Sequence, residues 1–170
     1  KYDGGMKSQD TERRNKVAMV TGTSTGIGLE ISRTLAMHGF NVAMTARSAK
    51  KLKHIITDPV FRNVNVIPIE LELLSEESIR EAFQTATSEF GKVNVLVNNA
   101  ATALVKPAVD VTWNDWDTVV NANLKGSYFL SSQFAKRCIE TNESGSIINM
   151  ASTHGVLGFA GRSVYGTSKG

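Results

Sequence analysis

Tyr165 and Lys169 are the residues of this sequence best suited to moving a proton. They stand four apart, and on a helix that spacing puts both side chains on one face. A free phenol titrates near ~10, so about one in a thousand is ionised at neutral pH. A neighbouring ammonium favours the phenolate and lowers that value. The pair taken alone also suits an ordinary surface helix. A second constellation is Thr21-Gly-Thr-Ser-Thr-Gly-Ile-Gly28, which follows a short apolar run and precedes a helical pattern. Glycine tolerates the backbone angles of a tight turn. The free N–H groups at a helix start attract an anion such as a pyrophosphate. Directly after a first strand, such a loop points to a dinucleotide.

These residues need elements to hold them. Val17-Ala-Met-Val20 reads as a buried strand. Ile27, Ile31 and Leu35 recur at helical spacing, and Gly39 closes that helix. Asn41 to Thr45 is a second strand, and Ala49 to Ile56 is expected to be helical, with Pro59 beyond its end. Val64 to Leu71 is a third strand, where Pro68 suits an edge position. Ser75 to Ser78 caps a helix that runs to about Phe90, before Gly91. Val93 to Val97 is a fourth strand, followed by one long helix from about Trp113 to Thr141. Trp113 and Trp116 are expected to pack. Ser146 to Met150 is a fifth strand, and a last helix starts near Arg162.

Apolar strands alternating with helices imply a parallel sheet covered on both faces, the doubly wound α/β class. Residues 1–15 read as a flexible tail, and 16–170 as a Rossmann-like domain for NAD(P). That sheet usually has six or more strands. The reading therefore expects a domain truncated after its fifth strand and the start of the next helix. It also expects an exposed fifth strand, and Lys169 in a fraying last turn.

The 170 residues are 41% hydrophobic and 21% charged, as in an ordinary globular domain. A net charge of +3, with Lys and Arg dispersed, does not argue for nucleic acid. Cys138 is the single cysteine, which excludes an intrachain disulfide and fits a cytoplasmic location. No apolar run reaches the roughly 18 residues of a membrane span, and no His/Cys/carboxylate group has metal-ligand spacing.

The glycine spacing Gly22-x-x-x-Gly26-x-Gly28, with Thr21 in front, resembles the nucleotide loop of the short-chain dehydrogenase/reductase family. Asn98-Asn-Ala-Ala101 is similar to its Asn-Asn-Ala-Gly, with Ala101 in the glycine's place. Asn123-Leu-Lys-Gly126 resembles its Asn-Leu-x-Gly, and Tyr165-Gly-Thr-Ser-Lys169 its Tyr-x-x-x-Lys, with Ser152 upstream at the usual distance. The resemblance covers nearly the whole chain from Val17. It implies that Tyr165 exchanges a proton with a carbonyl or alcohol oxygen as hydride moves. Lys169 would tune Tyr165 and hold the nicotinamide ribose, Ser152 would hydrogen-bond the substrate oxygen, and Asn123 would anchor a water linking Lys169 to solvent. Cofactor contacts would come from Gly22, Ser24, Thr25, Gly26, Ile27, Gly28, Glu72, Leu73, Asn99, Ala100 and Ala101, with Tyr165 and Lys169. Glu72-Leu73 stands where the family has an adenine-contacting Asp-Val. Asn98 and Asn99 are expected to bond backbone. His154 is either a loop histidine or a residue facing substrate.

An NAD site places an acidic residue about 20 positions beyond the loop. None occurs from Asn41 to Thr57, and Arg47 could pair with a 2′-phosphate. NADP(H) is the expected cofactor, with NAD(H) the alternative; Thr25 stands where NADP-preferring relatives often carry a second basic residue. The expected function is carbonyl–alcohol oxidoreduction on a small molecule by a homo-oligomer, dimer or tetramer. The alternative is a non-catalytic dinucleotide-binding or interaction fragment, inactive without a further substrate-binding part. Glu140 to Gly145 carries no basic residue to dock an acidic carrier protein.

Overall fold

Strand β1, Val17–Val20, is buried along its whole length, so it needs cover on both faces. The computed structural model describes residues 16–170 and supplies that cover; the expected tail, 1–15, lies outside the described residues. Strands β2 (Asn41–Ala46), β3 (Val66–Glu70), β4 (Val95–Asn98) and β5 (Ser146–Asn149) join β1 in one sheet of order β3-β2-β1-β4-β5. Every pairing is parallel. Pro68 lies in β3, at the sheet edge, where its missing N–H leaves no ladder gap.

Side chains alternate across the sheet. Met19, Leu96 and Ile69 face helices α2 (Glu76–Phe90) and α4 (Ser127–Thr141), with Phe83 and Phe134 edge to face at 6.4 Å. Val20, Met44 and Val97 face the other layer, with Ile31 and Leu35 of helix α1 (Gly26–Met37). Helix ends follow local chemistry. Ser75 caps α2 by accepting the Ser78 N–H. Past α1, Gly39 adopts φ 83°, while Gly39 N–H donates to Ala36 O and Phe40 N–H to Leu35 O. That double closure is a Schellman motif.

Several expectations fail. Ala49–Ile56 is no regular helix: three short 3-10 turns occupy Ala49–Leu52, Ile55–Thr57 and Pro59–Phe61. Ile55, Ile56 and Thr57 are β-branched and stiff in a helix. Pro59 also forces Asp58 out of helical angles, to ψ 134°. The long helix is not uniform either. It comprises α3 (Trp113–Val120), a π-helical stretch Asn121–Gly126, and α4. Trp113 does not pack and is 87% exposed, whereas Trp116 is partly covered at 40% exposed. The capping box of Thr112 and Asp115 starts the helix there, and its turn carries Val119 inward while Trp113 points away from the sheet. Ile27 is exposed in the first turn of α1 and adds nothing to the core. The final helix, α5, is only Ser163–Thr167, so Lys169 follows it in a turn. Strand β5 is exposed throughout, as expected.

Candidate nucleotide cleft and proton-transfer site

The strand order reverses between β1 and β4, where ligands of open α/β sheets bind beyond the strands' carboxyl ends. A cleft of about 360 Å³ opens there. Its lining includes Gly22, Ser24, Thr25, Arg47, Glu72, Leu73, Asn99, Ala100 and Ala101, all expected from sequence, with Thr45, Thr102 and Ala122.

Threonines and an asparagine hold its floor. Thr21 Oγ accepts the N–H groups of Asn99 and Ala100, both at 2.9 Å, and donates to Val97 O. Asn99 Nδ2 donates to Thr21 O at 2.8 Å, so Asn99 does bond backbone. Thr23 N–H and Oγ both donate to Thr45 O. The sequence reading missed Thr21, Thr23 and Thr45 as loop anchors; the alternating Thr-Gly-Thr pattern was the available signal.

Gly22 adopts φ +72°, and a Cβ there would lie 2.9 Å from Ala100 Cα. A Cβ on Gly28 would collide with Gly22 O. Gly26, at φ +62°, has open space where a Cβ would stand. The N-cap residue Thr25 makes no side-chain capping bond, and the first turn of α1 holds no acidic residue. An anionic group can therefore take the free N–H donors. These features fit a dinucleotide pyrophosphate. Arg47 is exposed at the carboxyl end of β2, on the cleft rim. Glu72 turns its carboxylate back to accept the Leu74 N–H at 3.1 Å.

The Ser152 loop packs closely against α5 and the turn after it, the segments that carry Tyr165 and Lys169. A Cβ on Gly155 would strike Lys169 O, and one on Gly166 would lie 2.8 Å from His154 O. The two glycines let the segments meet. Lys169 Nζ donates to Met150 O at 2.7 Å, at the end of β5. Burial lowers the Lys169 pKa, because removing water disfavours the ammonium.

Asn123 is buried in the π-helical stretch. Its Oδ1 accepts the Thr102 N–H at 2.7 Å, and its Nδ2 donates to Thr102 O and Ser168 Oγ, both at 2.9 Å. It ties the cleft wall to the residue before Lys169. Gly126 passes so near Leu73 that a Cβ would lie 2.8 Å from Leu73 Cβ, which accounts for the glycine of Asn-Leu-x-Gly. Asn98 departs from expectation. Its Nδ2 donates to Ser131 Oγ and Asn149 Oδ1, not to backbone. As a strand residue, Asn98 already has its main chain in the ladder and turns its amide to neighbouring side chains. Among the described residues no cluster of potential metal ligands occurs, and no helix is long and apolar enough to cross a membrane.

The family model described as short chain dehydrogenase matches residues 16–170. A tropinone reductase homologue of Arabidopsis thaliana is 34% identical over 170 residues, covering 98% of this chain and 63% of that protein. A metagenomic short-chain oxidoreductase solved with NADP superposes with TM-score 0.85 at 32% identity, covering 92% of this chain and 71% of that one. NAD+-bound xylitol dehydrogenase gives TM-score 0.85 at 28% identity, covering 93% and 61%. The chain thus spans less than two thirds of the length of curated relatives such as the tropinone reductase homologue, and of xylitol dehydrogenase.

Proposed function

Because the chain belongs to the short-chain dehydrogenase family, we propose that its parent protein interconverts a carbonyl and a secondary alcohol using NADP(H). The observation that carries this reading is the packing of the Ser152 loop against the turn of Tyr165 and Lys169, joined through Ser168 and Asn123 to the wall of the glycine-loop cleft.

The nicotinamide, when bound, supplies or accepts hydride at the substrate carbon. The chain's own residues do the rest. Gly22, Gly26, Gly28 and the first turn of α1 would bind the pyrophosphate, with Ser24, Thr25 and Ile27 contributing. Asn99, Ala100 and Ala101 line the cleft wall and would flank the dinucleotide, and Leu73 with Glu72 would border the adenine. Tyr165 gives its phenolic proton to the carbonyl oxygen in reduction and takes it back in oxidation. Lys169, an ammonium held on Met150 O, favours the phenolate left behind and would hold the ribose hydroxyls. Ser152 Oγ hydrogen-bonds the same substrate oxygen. Asn123 holds the protein side of the proton path, keeping Ser168 and hence Lys169 in place.

Arg47 supports NADP(H) over NAD(H). Its guanidinium stands at the end of β2 without an acidic neighbour from Asn41 to Thr57 to repel a 2′-phosphate. The exposed aromatic residues Trp113, Tyr128 and Phe129 on the long helix support a homo-oligomer. Cys138, a free thiol, is in keeping with the cytoplasm.

The test is hydride transfer by the whole encoded protein, followed at the nicotinamide absorbance with a panel of carbonyl compounds. Tyr165→Phe should abolish turnover while nucleotide binding persists. Arg47→Ala should weaken NADPH about tenfold or more, as expected for losing charge-assisted hydrogen bonds, and leave NADH nearly unchanged. Nucleotide binding without turnover on any carbonyl would favour a non-catalytic dinucleotide-binding protein. Equal loss for both nucleotides would remove Arg47 from the cofactor assignment.

A further inference from the structure

His154 is the titratable side chain of the Ser152 loop that the proton-transfer scheme leaves without a task. It lies in the 3-10 turn Thr153–Gly155. Its Nδ1 is 3.3 Å from Ser152 Oγ, and its own backbone N–H donates to that oxygen at 3.2 Å. Its ring stacks on Phe159, with centroids 4.1 Å apart and planes at 26°. It also stands edge to face with Tyr165, at 5.7 Å and 79°. A solvated loop histidine would lack the ring contacts with Phe159 and Tyr165. This one touches both groups assigned to the substrate oxygen.

The chemistry of one hydroxyl gives the arrangement a consequence. Serine has one proton to donate and two lone pairs to accept with. The His154 backbone N–H occupies one lone pair. If Nδ1 carries a proton, it fills the second, and the hydroxyl proton is all that Ser152 can present to the cleft. Ser152 is then a donor, as a carbonyl oxygen requires. If Nδ1 is bare, it takes that proton, and Ser152 presents only a lone pair to an oxygen that is itself an acceptor. We propose that His154 is a positioning residue. Its protonated Nδ1 makes Ser152 a hydrogen-bond donor to the substrate oxygen. The proposal rests on the carbonyl–alcohol reading of Ser152 and Tyr165, but not on which carbonyl is used.

The test uses the whole encoded protein. His154→Phe keeps a ring between Phe159 and Tyr165 and removes Nδ1. His154→Asn loses the ring and keeps a donor amide near the same place. His154→Phe should lower kcat about tenfold, the rate equivalent of one lost hydrogen bond, with NADPH affinity unchanged. His154→Asn should recover most of that loss. Adding Ser152→Ala to His154→Phe should cost little more than Ser152→Ala alone, since the residues act as one unit. A His154→Phe enzyme as fast as its parent, or fully additive losses, would overturn the proposal; so would a His154→Asn enzyme no faster than His154→Phe. A second measurement does not need turnover: nitrogen-15 imidazole spectra should show Nδ1 protonated in the parent and the tautomer shifted in Ser152→Ala. A bare Nδ1 in the parent refutes the proposal. The expected tautomer in a protein without turnover would instead refute the carbonyl–alcohol reading and leave the His154–Ser152 contact standing.

Discussion

Replacing Asn123 by alanine should loosen the protein and its active site together. The amide is 7% exposed and makes three hydrogen bonds, two to the Thr102 backbone and one to Ser168 Oγ. Truncation removes all three. It also strands the Thr102 N–H and C=O in a half-buried position, whereas Ser168 keeps its bond to Tyr165 O at 2.8 Å. At a net contribution of about 1 kcal/mol per bond, the loss is about 3 kcal/mol. In a domain of this size 1 kcal/mol moves the melting temperature by about 2–4 °C, so the variant should melt about 6–12 °C lower. Thr102 lines the cleft and Ser168 precedes Lys169, so NADPH affinity and kcat should both fall. Calorimetry of the whole protein with and without NADPH, and a fluorescence titration of the nucleotide, measure these effects. A variant that melts within about 2 °C of its parent would refute the hydrogen-bond reasoning. Lower stability with unchanged NADPH affinity and turnover would refute the coupling to the site.

Two further outcomes follow from the same geometry. Gly22→Ala places a methyl group at φ +72° and 2.9 Å from Ala100 Cα; the backbone strain alone is roughly 1–2 kcal/mol, so thermal stability and nucleotide binding should both drop, and a variant with parental melting and affinity would contradict the close approach. Asp115 should mark the acid limb of stability. Lys106 beside it, then the Thr112 N–H and hydroxyl, hold its carboxyl down to about 2. A depressed carboxyl stabilises the fold while ionised, so its contribution is present above the usual carboxylate range and lost as pH falls from about 4 to about 2. Asp115→Asn should flatten the fall of melting temperature across that window, and an acid limb identical to the parent's would count against the ion pair.

Much of the fold was legible because its signals are short-range. Helix α2 begins after Ser75 and ends before Gly91 as its capping residues dictate. The buried β1 follows from four consecutive apolar residues, and Pro68 marked an edge strand. The glycine loop and the Tyr165–Lys169 spacing are likewise properties of a few adjacent residues, although the helix ends before Lys169.

What the sequence could not show depends on partners distant along the chain. Asn123 meets Thr102 across 21 positions and Ser168 across 45, and no local pattern encodes such a bond. The π-helical stretch has no residue signature. It coincides with the close approach of Gly126 to Leu73, which exists only once the long helix lies on the sheet. Trp113 read as a core residue by type, yet its side of the helix has no sheet to face. The Tyr165–Lys169 spacing, then, was written in the sequence, because four chain positions determine it. Its attachment to the nucleotide cleft through Asn123, and to Ser152 through the packing of Gly155 and Gly166, was decided by the tertiary structure, because only the folded chain brings those atoms within van der Waals reach.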